Sequence, residues 1–304
     1  MIILGLALLF ATFAGFAIAP RQALAAPLTF PAAAPISAGD IFLRTQPGYL
    51  AGTQGLRQFG AEAVAAYGLS HDWAFVVENF PLQYKQQRYS LLGGRHNRDT
   101  FGPSDTDVLA RYTFWEQDGI GSTNRLALLG GALVPSGSFL NTDAYGLIPR
   151  TLQPATGAWG TKSGVIFSQQ TLTREIDFYA GYTHHFEGGG YQFGDEYFFD
   201  ASLQRRILPL RLPDIGIPTI ETYGVLESNL FFDQKDQSSG TRPVFDTGGT
   251  LWQLDPGLRF VGMDWGFAAL AELPAYQSVN GGGPLHKYGF LLVYRHVFFT
   301  PWHL

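Results

Sequence analysis

The sequence has no cysteine, which excludes a disulfide scaffold and any thiolate-held metal. Charge is scarce: Asp, Glu, Lys and Arg make up 15% of 304 residues with a formal net charge of -5, so there is no basic footprint for nucleic acid. Past residue 26, no apolar run approaches the roughly 18 residues that a spanning helix requires. A Gly-x-Ser-x-Gly nucleophile elbow is missing, and "GIGSTN" at 119–124 does not complete a nucleotide-binding glycine pattern. No long-period repeat of the solenoid kind is present either.

What is present is 37 glycines, 15% aromatics and an N-terminal apolar run, "IILGLALLFATFAGFAIA", from Ile2 to Ala19. Ala23, Leu24 and Ala25 supply the small, any, small pattern of a signal-peptidase site, so residues 1–25 read as a secretory signal. The first basic side chain, Arg21, lies on the wrong flank of the run, which keeps an uncleaved anchor helix as the competing reading. Residues 26–40, rich in Pro and Ala and without periodicity, read as a flexible N-terminal arm.

From residue 41 to 304 the chain alternates between extended segments and breakers. Twelve strands are predicted, at 41–52, 57–68, 73–87, 104–116, 123–137, 156–169, 174–186, 196–208, 219–233, 248–261, 265–279 and 286–298. Connections such as "SHD", "TLT" and "GMD" are short, while the alternate "YSLLGGRHNRDTFGP", "SFLNTDAYGLIPRTLQPA" and "QKDQSSGTRPVFDT" are long and polar. Short turns at one end and long loops at the other mark an outer-membrane barrel.

Period-two alternation carries the same message. In "REIDFYAGYTHHFEG", Ile176, Phe178, Ala180, Tyr182 and Phe186 fall on one side, and Glu175, Asp177, Thr183 and His185 on the other. A soluble sandwich would solvate the polar side with many Lys and Glu; here that side mixes Gly, Ser, Thr, acids and Arg. Trp73, Trp159, Trp265, Tyr288 and Phe298 stand near strand ends, where aromatic girdles lie. The fold expected is all-β, an antiparallel transmembrane β-barrel of about 12 strands, with the acids facing a wet lumen. Pro81, Pro135 and Pro274 fall late in their strands, toward the long-loop half, where a lost ladder bond is tolerated.

"AAYGLSHDWAF", "GPSDTDVLARYTF", "LVPSG", "ATGAWGTKSG", "LDPGLRF", "LPAYQSVNG" and the closing "YGFLLVYRHVF" resemble, in order and spacing, the outer-membrane transporter family labelled for the meta-pathway of phenol degradation. The resemblance runs from about Gly60 to Phe298. It implies a single barrel in the bacterial outer membrane that passes small, aromatic or hydrophobic molecules, and it supplies no catalytic residues. The chain departs from the pattern at its end, where "FTPWHL" follows Phe298. Lys287, Gly289, Leu292 and Tyr294 still resemble the signal read by barrel-assembly machinery.

The candidate lumen-lining residues are Asp107, Arg111, Arg125, Lys162, Glu175, Asp177, Asp200, Arg206, Glu221, Glu227 and Glu272, joined by Lys287 and Arg295 if the last strand keeps register. Tyr179, Tyr223 and Phe231 share that side and could stack on an apolar ring or fill space. His184 and His185 point to opposite faces, so with Glu187 they do not close a zinc site. Pairing His185 with a lumen Ser is the best enzymatic arrangement on offer, and it is weak. The expectation is therefore a monomeric, cofactor-free, non-enzymatic channel in outer-membrane lipid. The alternative is a closed barrel acting as a surface binding or structural scaffold, with a soluble β-sandwich behind it.

Overall fold

The computed structural model describes residues 26–91, 94–211, 220–238 and 242–300. The signal segment expected at 1–25 lies outside the described residues. The barrel strands are β1 (Ile41–Gly52), β2 (Arg57–Gly68), β3 (Trp73–Leu91), β4 (Gly94–Gly102 and, after a break, Thr106–Gly119), β5 (Ser122–Val134) and β6 (Gly160–Thr171). They continue as β7 (Arg174–His185), β8 (Glu196–Leu208), β9 (Glu221–Asp233), β10 (Gly249–Val261), β11 (Trp265–Val279) and β12 (His286–Phe298). Both parts of β4 pair with β3, so the wall counts twelve strands, all antiparallel to their neighbours. β1 pairs with β12, Ile41 opposite Phe298, and this ladder closes the barrel. Closure leaves no sheet edge, the condition for placing a β-sheet in lipid.

Each strand alternates as the sequence does. In β7 the side chains of Glu175, Asp177, Tyr179, Thr183 and His185 are buried inside, while Phe178, Ala180 and the half-exposed Ile176 and Tyr182 face outward. Phe75, Leu128, Leu226, Leu258 and Phe290 extend the outer apolar belt around the wall. Trp73, exposed near one rim, stacks on Tyr112 with ring centroids 4.6 Å apart.

Prolines occupy faults in the ladder, because they bring no N–H to it. The β2–β3 register skips across Pro81, and the β10–β11 register shifts beside Pro274. Pro135 lies immediately after β5.

The structure corrects several boundaries. The segment expected as a long loop after residue 87 is mostly a hairpin in which Gln83–Leu91 pairs with Gly94–Gly102. Its residues are polar on both faces, so no one-sided apolar stripe announces it. The fifth strand stops at Val134, short of the expected 137, and the sixth begins at Gly160, later than 156, because residues 135–159 fold as a loop against the gap in β4.

The largest departure is at the N-terminus. Residues 26–39, expected as a flexible arm outside the wall, run inside the barrel, with Leu28, Phe30, Ala33 and Ile36 buried. Small and apolar side chains let this segment cross a charged lumen without bringing charges of its own.

Candidate functional site: a strapped lumen

The N-terminal segment enters at the short-turn end. Gly39 N–H donates to Gly68 O at 2.8 Å and Gly68 N–H to Asp40 O at 3.1 Å. Gly68 is required there, since a Cβ would meet the carbonyl oxygens of Ser37 and, at 2.6 Å, Ile36. The segment then crosses the lumen with few internal backbone bonds, so its polar groups must be met by the wall.

Seven strands meet them. Ser168 Oγ (β6) accepts Ala33 N–H at 3.0 Å, Thr113 (β4) donates to Ala33 O at 3.1 Å, and Arg111 (β4) to Ala32 O at 3.0 Å. Glu227 (β9), fully buried, accepts Leu28 N–H at 2.6 Å, Thr29 N–H at 3.0 Å and the Thr29 hydroxyl at 2.5 Å; Asn229 on the same strand accepts from that hydroxyl at 3.2 Å. Arg44 (β1) reaches Leu28 O. Gln204 (β8) at 3.2 Å, Arg259 (β10) at 3.0 Å and Arg295 (β12) at 2.8 Å converge on Ala26 O, and Arg295 also donates to Pro27 O. Phe30 stacks on Tyr179 at 6.4 Å. A residual void of about 60 Å³ surrounds the segment, room for a water or two. The half of the lumen nearest the short turns is thereby closed.

Above the strap lies a cavity of about 360 Å³, continuous through Thr151, Phe193 and Glu196 with an open vestibule of about 640 Å³ at the long-loop end. Lys162 bridges Asp107 at 2.8 Å and Glu78 at 3.1 Å in its wall. His185, 3% exposed, places Nε2 3.4 Å from Glu196 and has no hydrogen-bonded serine.

The sequence-predicted residues divide into separate groups. Arg111, Glu227 and Arg295 hold the strap, and Asp107 and Lys162 line the cavity. Glu175 pairs with Arg259 at 3.2 Å beside the fully buried Asp177. Arg206 lies 3.7 Å from Glu221, Arg125 pairs with Glu116 at 2.8 Å, and Asp200 is buried opposite Asn229. Glu272 packs against Gly289, while Lys287 is exposed at the rim. Tyr223 is taken by Arg259, whose guanidinium lies 4.6 Å from its ring centroid, and Phe231 packs edge-on to Phe198 at 5.8 Å.

Sequence reasoning missed Arg44, Glu62, Glu78, Ser168, Gln204 and Arg259. Arg44 is the single charge of β1, in "IFLRTQ", and Arg259 interrupts the apolar stretch "PGLRFV", which was the available signal.

The loops at the wide end are pinned by charge. Asp143 accepts from Arg98 at 2.7 and 2.8 Å, and that hydrogen bonding holds its carboxyl below the ordinary value. Burial, then its hydrogen bond to Asp236, raises the Tyr191 hydroxyl, and burial raises Asp236.

No family model matches the chain, and no curated protein matches its sequence. Among solved structures it is similar to the COG4313 outer membrane channel from Pseudomonas putida F1, with a TM-score of 0.59 at 10% identity over 86% of this chain and 97% of that one. The beta domain of the Bordetella autotransporter BrkA aligns with a TM-score of 0.46 at 15% identity over 86% of this chain and 100% of that one. LpxR from Salmonella typhimurium aligns with a TM-score of 0.39 at 11% identity over 86% and 100%. The likeness to the Pseudomonas protein is one of fold, and with the closed ladder it defines the class: an all-β, twelve-stranded antiparallel barrel with the fold of an outer-membrane β-barrel. The chain is such a barrel with its own N-terminal segment drawn through the lumen.

Proposed function

We propose that this barrel sits in the bacterial outer membrane as a monomer and passes small solutes without an energy source, with residues 26–39 as a displaceable constriction. The observation that carries the reading is the contrast between the two halves of the lumen. One half is an open vestibule leading to a cavity lined by polar and phenylalanine side chains, and the other is shut by a single segment without charged side chains rather than by the wall itself. Twelve strands fall between the small barrels that side chains fill and the sixteen to eighteen of aqueous porins, so one segment is enough to open or close such a bore.

In this reading the short-turn end faces the periplasm, export follows cleavage after Ala25, and the last strand is presented to the barrel-assembly machinery. Phe80, Phe193 and Phe198 beside the cavity support a solute with an aromatic or hydrophobic part, the class that the phenol meta-pathway resemblance implies. A second reading, a permanently closed barrel serving as a surface scaffold, is favoured by the bonds that seven strands make to residues 26–33.

Planar-bilayer conductance of the intact protein and of a variant lacking residues 26–39 decides between them. Brief, small openings that become large and steady on deletion support the channel. Silence from a deletion variant shown to be folded and inserted would establish the scaffold reading instead.

A further inference from the structure

The cavity above the strap is short of partners for its acceptors. Its wall cations are already engaged: Lys162 by Glu78 and Asp107, Lys85 by Gln153 O at 3.0 Å, and Arg150 by Phe139 O and the Phe139 ring. Glu62, near the floor, is held by Arg44 at 2.7 Å from below. Left over among the described residues are Gln83 Oε1 and Asp107 Oδ1, both buried without a hydrogen bond, while His185, 3% exposed, sets Nε2 3.4 Å from Glu196 and leaves Nδ1 without a partner. His185 stands at the inward-facing end of β7 and lines this cavity.

Charge leans the same way. The cavity wall carries five carboxylates, among them Glu78, Asp107 and Glu196, against three Lys and Arg side chains. Asp233, Asp236 and Asp246 face the adjoining vestibule, where Arg88 is the single Lys or Arg among the described lining residues. Phe80, Phe193 and Phe198 supply apolar faces between the acceptors. Unsatisfied buried acceptors are costly to leave dry and call for a donor. An anion would meet an excess of carboxylates, whereas a cation gains from the acids, the free acceptors and the aromatic rings together.

We infer that this juxtaposition of unpartnered acceptors, excess carboxylates and phenylalanine faces between strap and vestibule is a binding site for small organic cations, an ammonium group carried on an aromatic body. The inference deepens the channel reading and rests on it, since the site's occupant is then the class of solute the barrel admits. The ammonium sits among Asp107 Oδ1, Gln83 Oε1 and Glu196. The aromatic body packs on Phe193 and Phe198.

The test is calorimetric titration of the full-length protein in detergent at low salt with 2-phenylethylammonium, phenylacetate and 2-phenylethanol, three probes of one shape and different charge. The ammonium is expected to bind at least about tenfold more tightly than either competitor, the scale set by one charge-assisted hydrogen bond. Glu196→Gln and Gln83→Leu are each expected to weaken it severalfold without altering the folded barrel's heat-modifiable migration. Phenylacetate binding as tightly as the ammonium, or no ammonium binding to folded protein, overturns the assignment. Should Glu196→Gln fail to fold, Gln83→Leu alone decides, and unchanged affinity there counts against the site. Bilayer conductance separates the two readings: ammonium binding to a strap-deleted barrel that never conducts removes the channel and keeps the site, whereas steady conductance without ammonium binding removes the site and keeps the channel.

Discussion

Glu227 shows how much one side chain can decide. A carboxylate without solvent exposure would be prohibitively placed were it not accepting three hydrogen bonds from Leu28 and Thr29. Glu227→Gln keeps the shape but loses the charge, and bonds to a charged group are worth about 1.5 to 3 kcal/mol against about 1 for neutral ones. The expected result is amide exchange at Leu28 and Thr29 faster by about tenfold, measured by hydrogen–deuterium exchange, with the β1–β12 ladder still protected. Gly68→Ala should displace the strap from its other end, because the added methyl has backbone oxygens as neighbours rather than a side chain that can turn away. The strand face of Glu227 was legible in the sequence, as were those of Glu175 and Asp177, because period-two alternation places a side chain on one face of the wall. Its partner was not, since a backbone amide some 199 residues away leaves no mark in composition or spacing.

At the scale of elements, strands and short turns could be read off the alternation, and what escaped was structure that alternation does not encode. The hairpin pairing Gln83–Leu91 with Gly94–Gly102 is polar on both sides, and the loop 135–159 is not periodic at all. That loop covers the break in β4 and is held by Asp105, whose carboxylate accepts from Thr156 N–H at 2.7 Å, the Thr156 hydroxyl at 2.5 Å and Gly137 N–H at 3.3 Å. Asp105→Ala is therefore expected to leave the barrel folded while trypsin cuts sooner after Arg150, as read by mass spectrometry of the first fragment; an unchanged cleavage time would show that the backbone bonds at Ser138 and Ala155 hold the loop unaided. The neighbouring Asp143–Arg98 contact depends on pH with a definite sign. The hydrogen bond from Arg98 holds the Asp143 carboxyl below the ordinary aspartate value in the folded protein, so the contact's contribution is present above that ordinary value and is lost as pH falls through the lowered one. An NMR titration of Asp143 should give a midpoint below the ordinary aspartate value, and Arg98→Gln should move it upward.

At the scale of the molecule, the strap and the wall are separable. The barrel closes through β1 and β12 without help from residues 26–39, and each strap bond to Arg44, Arg111, Arg259, Arg295 or Glu227 can be exchanged for water in an emptied lumen at a net loss of about 1 kcal/mol or somewhat more. Deleting the strap should therefore open the bore while the barrel survives. In that opened barrel Glu175 and Asp177, now sealed beside Arg259, come to face water on the conduction path. A charge within about 4 Å of a passing ion in water is worth about 1 kcal/mol, so removing both with Glu175→Gln and Asp177→Asn should shift the permeability ratio toward anions by about fivefold or more, read as a reversal potential in a salt gradient. The same double variant with the strap in place should open as briefly as the intact protein and show the same shift in those openings, because an opening displaces the strap and bares the two acids. Openings whose selectivity does not move in the intact background would mean that ions pass without uncovering these acids, and residues 26–39 would then not be the gate.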